Sequence, residues 1–129
     1  MNPKQFLQLG GVILLVLGIA GLVGIFSKQT TPWFWLDNTE NTAHVVLGIV
    51  ALAASVVLKD MSAQRWLVAA VGALGIATAI YGYVVINGFE PNAGITNLEG
   101  SDDILHLVVG LWALAAAFMP RREPVSVTA

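Results

Sequence analysis

Polar residues are so sparse along this chain that its layout can be read from where they fall. One apolar run extends from Phe6 to Phe26, a second from about Asn41 to Leu58, a third from Trp66 to Ile86 and a fourth from Asp103 to Met119. A helix crossing the hydrocarbon core of a bilayer needs about 20 apolar residues, within a range of about 17–25. The first and third runs meet that length. The second and fourth lie near its lower limit, and each opens on a polar residue with a histidine three positions later. The strict alternation of a barrel strand is absent, and in lipid a helix is the other way to satisfy the backbone. The pattern predicts an all-α integral membrane protein of one domain. Its four transmembrane helices span about 6–26, 41–58, 66–86 and 103–119.

The connecting segments set the expected topology. Ser27–Glu40 contains Thr31-Pro32-Trp33-Phe34-Trp35, which reads as an interfacial turn, and Asn87–Asp102 contains Gly88, Pro91, Gly94 and Gly100, which read as a loop. The link from Lys59 to Arg65 is short, so spans two and three are expected to be antiparallel neighbours. The tail after Pro120 is too short and polar to fold alone. Lys4, Lys59, Arg65, Arg121 and Arg122 fall on one side of the membrane and only Lys28 on the other. Basic residues in short loops favour the cytoplasm, so both termini are expected there. Asp37, Glu40, Glu90, Glu99, Asp102 and Asp103 make the opposite face acidic, leaving Asp60 and Glu123 inside. Trp33, Phe34, Trp35, Trp66, Tyr81 and Tyr83 flank the spans, where amphipathic rings favour the headgroup zone. No small-residue cleavage site follows the first run, which is therefore expected to be a retained span rather than a signal peptide.

Composition narrows the class further. The chain is 57% hydrophobic and 11% charged, against about 45–50% and about 25% in soluble domains, so its charges are too few to cover a water-facing surface. A net charge of −2 offers no general attraction for nucleic acid, and no nucleic-acid partner is expected. Without cysteine, disulfides and thiolate metal sites are excluded.

The most informative pattern is an internal repeat of residues 6–58 in 66–119. His44-Val-Val-Leu-Gly48-Ile-Val-Ala51-Leu52-Ala53-Ala54 aligns without gaps with His106-Leu-Val-Val-Gly110-Leu-Trp-Ala113-Leu114-Ala115-Ala116. Upstream, Glu40 and Asn41 match Asp102 and Asp103. Spans one and three match more weakly, through Leu17-Gly18-Ile19-Ala20 and Leu74-Gly75-Ile76-Ala77. The chain therefore reads as a duplicated helical hairpin whose copies run in the same direction, a parallel repeat. Gly48, Gly110, Ala51 and Ala113 are the expected packing positions, facing Gly11, Gly18 and Gly21 of span one and Ala69, Ala73 and Ala77 of span three. Small residues let helices approach closely where both surroundings are apolar.

The segment Asp102-Asp103-Ile104-Leu105-His106-Leu107-Val108-Val109-Gly110 resembles the D-N-x-L-H-L-x-x-G signature of small four-span bacterial membrane proteins that form a domain family of unknown function. Asp103 stands where that signature has Asn, while Asn41 holds the place in the first copy. The resemblance implies a bacterial plasma-membrane protein and carries no activity with it.

His44 and His106 are the candidate chemistry. As helix-start residues they can bond a loop carbonyl, water or a carboxylate, with Asn41 and Asp103 suited to the N-cap position. As a pair at equal depth they can instead bind a cofactor, either a haem held by both imidazoles or a chlorophyll-type pigment held by one. With Glu40, Asp102 and Asp103 they also make a plausible ligand set for a divalent metal, although only Asp103 of the two i, i+3 partners is acidic. A small transporter is a further class, but no charge lies at mid-membrane. No nucleophile–base pairing or phosphate-binding loop points to an enzyme. The expectation is a structural or accessory subunit that packs with other membrane proteins or with itself, and the alternative is a cofactor-binding subunit.

Overall fold

The computed structural model describes residues 1–88 and 100–119. Glu90, Pro91, Gly94, Glu99, Pro120, Arg121, Arg122 and Glu123 lie outside the described residues. Four helices follow in order: α1 (Pro3–Leu22), α2 (Asn38–Val57), α3 (Met61–Gly88) and α4 (Gly100–Phe118). All are long and apolar enough to cross a membrane.

The starts of α1, α2 and α3 are set by local chemistry ahead of the apolar run. The Asn2 side chain accepts the Gln5 amide while Gln5 accepts the Asn2 amide, and Pro3 occupies the first turn, where no donor is needed. Asp37 and Glu40 form the same reciprocal box at the start of α2, with both bonds at 2.9 Å. Asn41 is therefore not the N-cap of α2. It lies in the fourth helical position, as Asp103 does in α4. Asp60 caps α3 by accepting the amides of Ser62 and Ala63, and Gln64 donates to the Leu58 carbonyl at 2.6 Å. Three residues suffice to reverse the chain between α2 and α3.

Packing follows the repeat. α1 and α2 form one antiparallel hairpin and α3 and α4 a second. Across the hairpins α1 touches both α3 and α4. The short link does not make α2 and α3 a packed pair along their lengths, contrary to the expectation from loop length. A short connection fixes where one helix ends and the next begins; it does not choose the face each presents.

Within the first hairpin, a Cβ on Gly48 would stand 2.8 Å from the Gly11 carbonyl oxygen, and one on Gly11 would stand 3.0 Å from that of Gly48. Gly72 and Gly110 repeat this reciprocal approach in the second, at 2.9 Å each way. The repeat thus pairs Gly11 with Gly72 and Gly21 with Gly82. It does not pair Gly18 with Gly75, as the Leu-Gly-Ile-Ala match suggested; that match is displaced by about one helical turn. On α3 the close face carries Gly72, Gly75 and Gly82, whereas Ala73 and Ala77 are exposed and only Ala69 is buried.

The apolar core joins the hairpins at one end of the bundle. Phe6 and Leu7 of α1 meet Val68 and Ala69 of α3 and Ala113, Ala116 and Ala117 of α4, with Ala51 and Ala54 of α2 packed alongside. The Phe6 and Trp112 rings meet edge-on at 4.7 Å, a geometry that complements the ring quadrupoles. Large apolar side chains such as Val16, Ile19, Val50 and Leu74 point outward. Such a surface suits lipid, where exposure of apolar groups carries no hydration cost.

Candidate functional site

The opposite end of the bundle, where α1 and α3 finish and α2 and α4 begin, holds both histidines and the buried Glu40, Asn41, Asp102 and Asp103, while buried Ser55 and Gln64 lie at the core end. Its first wall is the connection between α1 and α2. Gly24 takes a φ of +85°, a conformation that side chains resist, and turns the chain out of α1. The Thr30 hydroxyl donates to the Ile25 carbonyl at 2.7 Å, and the Ser27 amide donates back to the Thr30 oxygen at 3.1 Å. Phe26 and Phe34 stack edge-on, and the Lys28 ammonium lies 5.4 Å from the centre of the Trp35 ring. The segment thereby folds back on the helix ends, with Leu36 buried and its carbonyl accepting from Asn41 Nδ2 at 3.3 Å.

Asn41 and Asp103 are buried in equivalent places. The Asn41 carboxamide lies against Gly21 so closely that a Cβ there would collide with it, and the Asp103 carboxyl lies against Gly82 in the same way. Oδ1 of each is buried without a hydrogen-bond partner. The glycine on the first helix of each hairpin is thus a socket for the polar side chain on the second. Sequence reading missed this pairing. Its signal was present, since Gly21 and Gly82 occupy equivalent positions and so do Asn41 and Asp103.

The histidines lie one turn further into the helices, and both are half-buried. His106 Nδ1 is 2.7 Å from the Asp102 carbonyl oxygen. A carbonyl only accepts, so Nδ1 carries a proton, and in the neutral ring the lone pair is on Nε2. His44 Nδ1 is buried without a hydrogen-bond partner, so the two copies differ here. The two imidazoles occupy equivalent positions at the same end of the bundle, and His106 lies one turn beyond Asp103. Glu40 is committed through Oε2 to the Asp37 amide. Among the described residues no group of three or more His, Asp or Glu side chains is placed to hold a metal ion. Gly48 and Gly110 lie one turn beyond the histidines, where they meet Gly11 and Gly72 at close range, with Ala113 buried and Ala51 partly buried.

Four apolar helices in a duplicated hairpin, with both histidines and the buried carboxyl side chains at one end, define a small multi-span α-helical membrane protein. Residues 4–119 match the family described as Domain of unknown function (DUF4383), and the chain belongs to that family. No curated protein and no solved structure matches it.

Proposed function

We propose that this protein is a structural or accessory subunit of the bacterial plasma membrane, packing with other membrane proteins or with copies of itself rather than catalysing a reaction. In this reading both termini are cytoplasmic, residues 6–58 and 66–119 are the duplicated unit, and the polar ends of α2 and α4 face outward. The observation that carries it is where the polar side chains are spent. Asn41 and Asp103 fill glycine sockets of their own hairpins, Glu40 closes a helix cap, and His106 bonds its own backbone. They serve the bundle, while its outer surface stays apolar. Purification from native membranes in a mild detergent tests the reading. Stoichiometric recovery of a second membrane protein, or a stable homo-oligomer, is expected; a bundle that stays monomeric and solitary at native abundance would refute it.

A cofactor-binding role is the second reading, and one observation favours it. The Nδ1–H bond of His106 orients its ring and makes Nε2 the donor atom of the neutral ring, the arrangement that ligating histidines use. His44, at the equivalent position of the first hairpin and with a buried unpartnered Nδ1, is the second ligand in this reading. A haem, a chlorophyll-type pigment or a divalent metal fits that donor chemistry. An absorption spectrum and metal analysis of protein purified from its native membrane decide the matter; a colourless, metal-free preparation eliminates it.

A further inference from the structure

The repeat puts a neutral amide and an ionisable acid into the same kind of buried socket. In the first hairpin the socket on Gly21 is filled by Asn41, which is 1% exposed. In the second, the socket on Gly82 is filled by Asp103, which is 7% exposed and whose Oδ1 meets no donor. A carboxylate in that position would be a charge withdrawn from water with one oxygen meeting no donor, which is more costly than a buried neutral polar group. A carboxylic acid has nearly the shape and polarity of the carboxamide in the twin socket. We propose that Asp103 is a proton-binding site, filling its socket as the acid, and that loss of the proton to water loosens the polar end of the second hairpin while the first is unaffected.

The surrounding groups support a proton rather than a paired cation. On α4, Asp102 is the adjacent residue and is itself buried, so ionising both carboxyl groups at once is opposed. His106 lies one turn on, with its Nδ1 proton directed at a backbone carbonyl. On α3 the contact is made by Gly82, flanked by Tyr81 and Tyr83, whose side chains are exposed. From the first hairpin, the titratable groups at this end are His44, whose Nδ1 is buried, and Asp37 and Glu40, which bond each other's amides. Among the described residues the basic side chain at this end is Lys28, over the Trp35 ring. The inference is independent of whether the bundle has partners.

The purified full-length chain in detergent provides the test, read by infrared spectroscopy and by thermal unfolding across a pH series. The parent should show a protonated-carboxyl band that Asp103→Asn removes. Its melting temperature should fall as pH rises, because the folded chain holds a proton that the unfolded chain releases. Asp103→Asn should fold, match the parent at the acid end and lose most of the pH dependence. Asn41→Asp should add a second titrating carboxyl. A parent without the band, a band that survives Asp103→Asn, or an Asp103→Asn chain that fails to fold would each overturn the proposal.

Discussion

At Gly48 a methyl group would stand 2.8 Å from the Gly11 carbonyl oxygen and 2.9 Å from the Leu15 amide nitrogen, backbone atoms that no side-chain rotation can clear. Gly110 meets the Gly72 carbonyl oxygen and the Ile76 amide nitrogen at 2.9 Å each. Gly→Ala at either position must push the paired helices apart. The expected loss is about 1–3 kcal/mol, the scale of overpacking. Gly10→Ala is the control, because its nearest neighbours are Phe6 ring carbons at 3.9 Å, an ordinary contact. Unfolding in detergent should show comparable losses for Gly48→Ala and Gly110→Ala and little change for Gly10→Ala; equal effects at all three would mean that these glycines do not set the spacing. The histidines give a second residue-scale prediction. His106→Gln removes the 2.7 Å bond to the Asp102 carbonyl and should cost about 0.5–1.5 kcal/mol, the net worth of a hydrogen bond. His44→Gln breaks no such Nδ1 bond and should cost less. If the residues are structural, the double variant should show the sum of the two losses. If they share a cofactor, either substitution should remove most of it and the second add little.

Helix starts depend on side chains that hydropathy does not weigh. The Asp37 carboxylate accepts the Glu40 amide and Glu40 accepts in return, so Asp37→Ala should cost about 1 kcal/mol, as cap removal does. Hydrogen exchange should quicken at the first amides of α2 and leave those beyond Gly48 unchanged; uniform quickening would mean that the cap supports more than the helix start. The number and order of helices were legible in the sequence because uninterrupted apolar runs of sufficient length have few other uses. The cap was legible too, as Asp-x-x-Glu, but attention to the apolar boundary placed it at Asn41, within the helix. The packed face of α3 was harder for a physical reason. Its lipid side and protein side are both apolar, so hydrophobic periodicity carries little information. Residues 69–82 contain several small-residue spacings, of which the alanine ladder through Ala73 and Ala77 is one and the glycine face through Gly72 and Gly82 another. Only the reciprocal contact with Gly110 selects between them. At the polar end, the repeat revealed that His44 and His106 are equivalent. It did not reveal the glycine sockets, because socket and occupant sit on different helices.

Across the whole molecule, two closely packed hairpins meet through a small core near one end, while the histidines and the buried carboxyl side chains lie at the other. Which end faces the cytoplasm decides whether Asp103 and the histidines meet the outer or the inner solution. The distribution of charge argues for outer, since Lys4, Lys59 and Arg65 gather at the core end and Lys28 stands alone at the other among the described residues. Cysteine accessibility tests this directly, because the chain has no cysteine of its own. Ser62 is exposed beside the link between α2 and α3, and Gln29 is exposed in the connection between α1 and α2. Gln29 is the better choice than Thr30, whose hydroxyl holds the turn through the Ile25 carbonyl. In intact bacterial cells a membrane-impermeant thiol reagent should label Gln29→Cys and spare Ser62→Cys, which should react once the membrane is opened. The opposite pattern would invert the protein, place the histidines and Asp103 on the cytoplasmic side, and make any proton bound at Asp103 one exchanged with the cell interior.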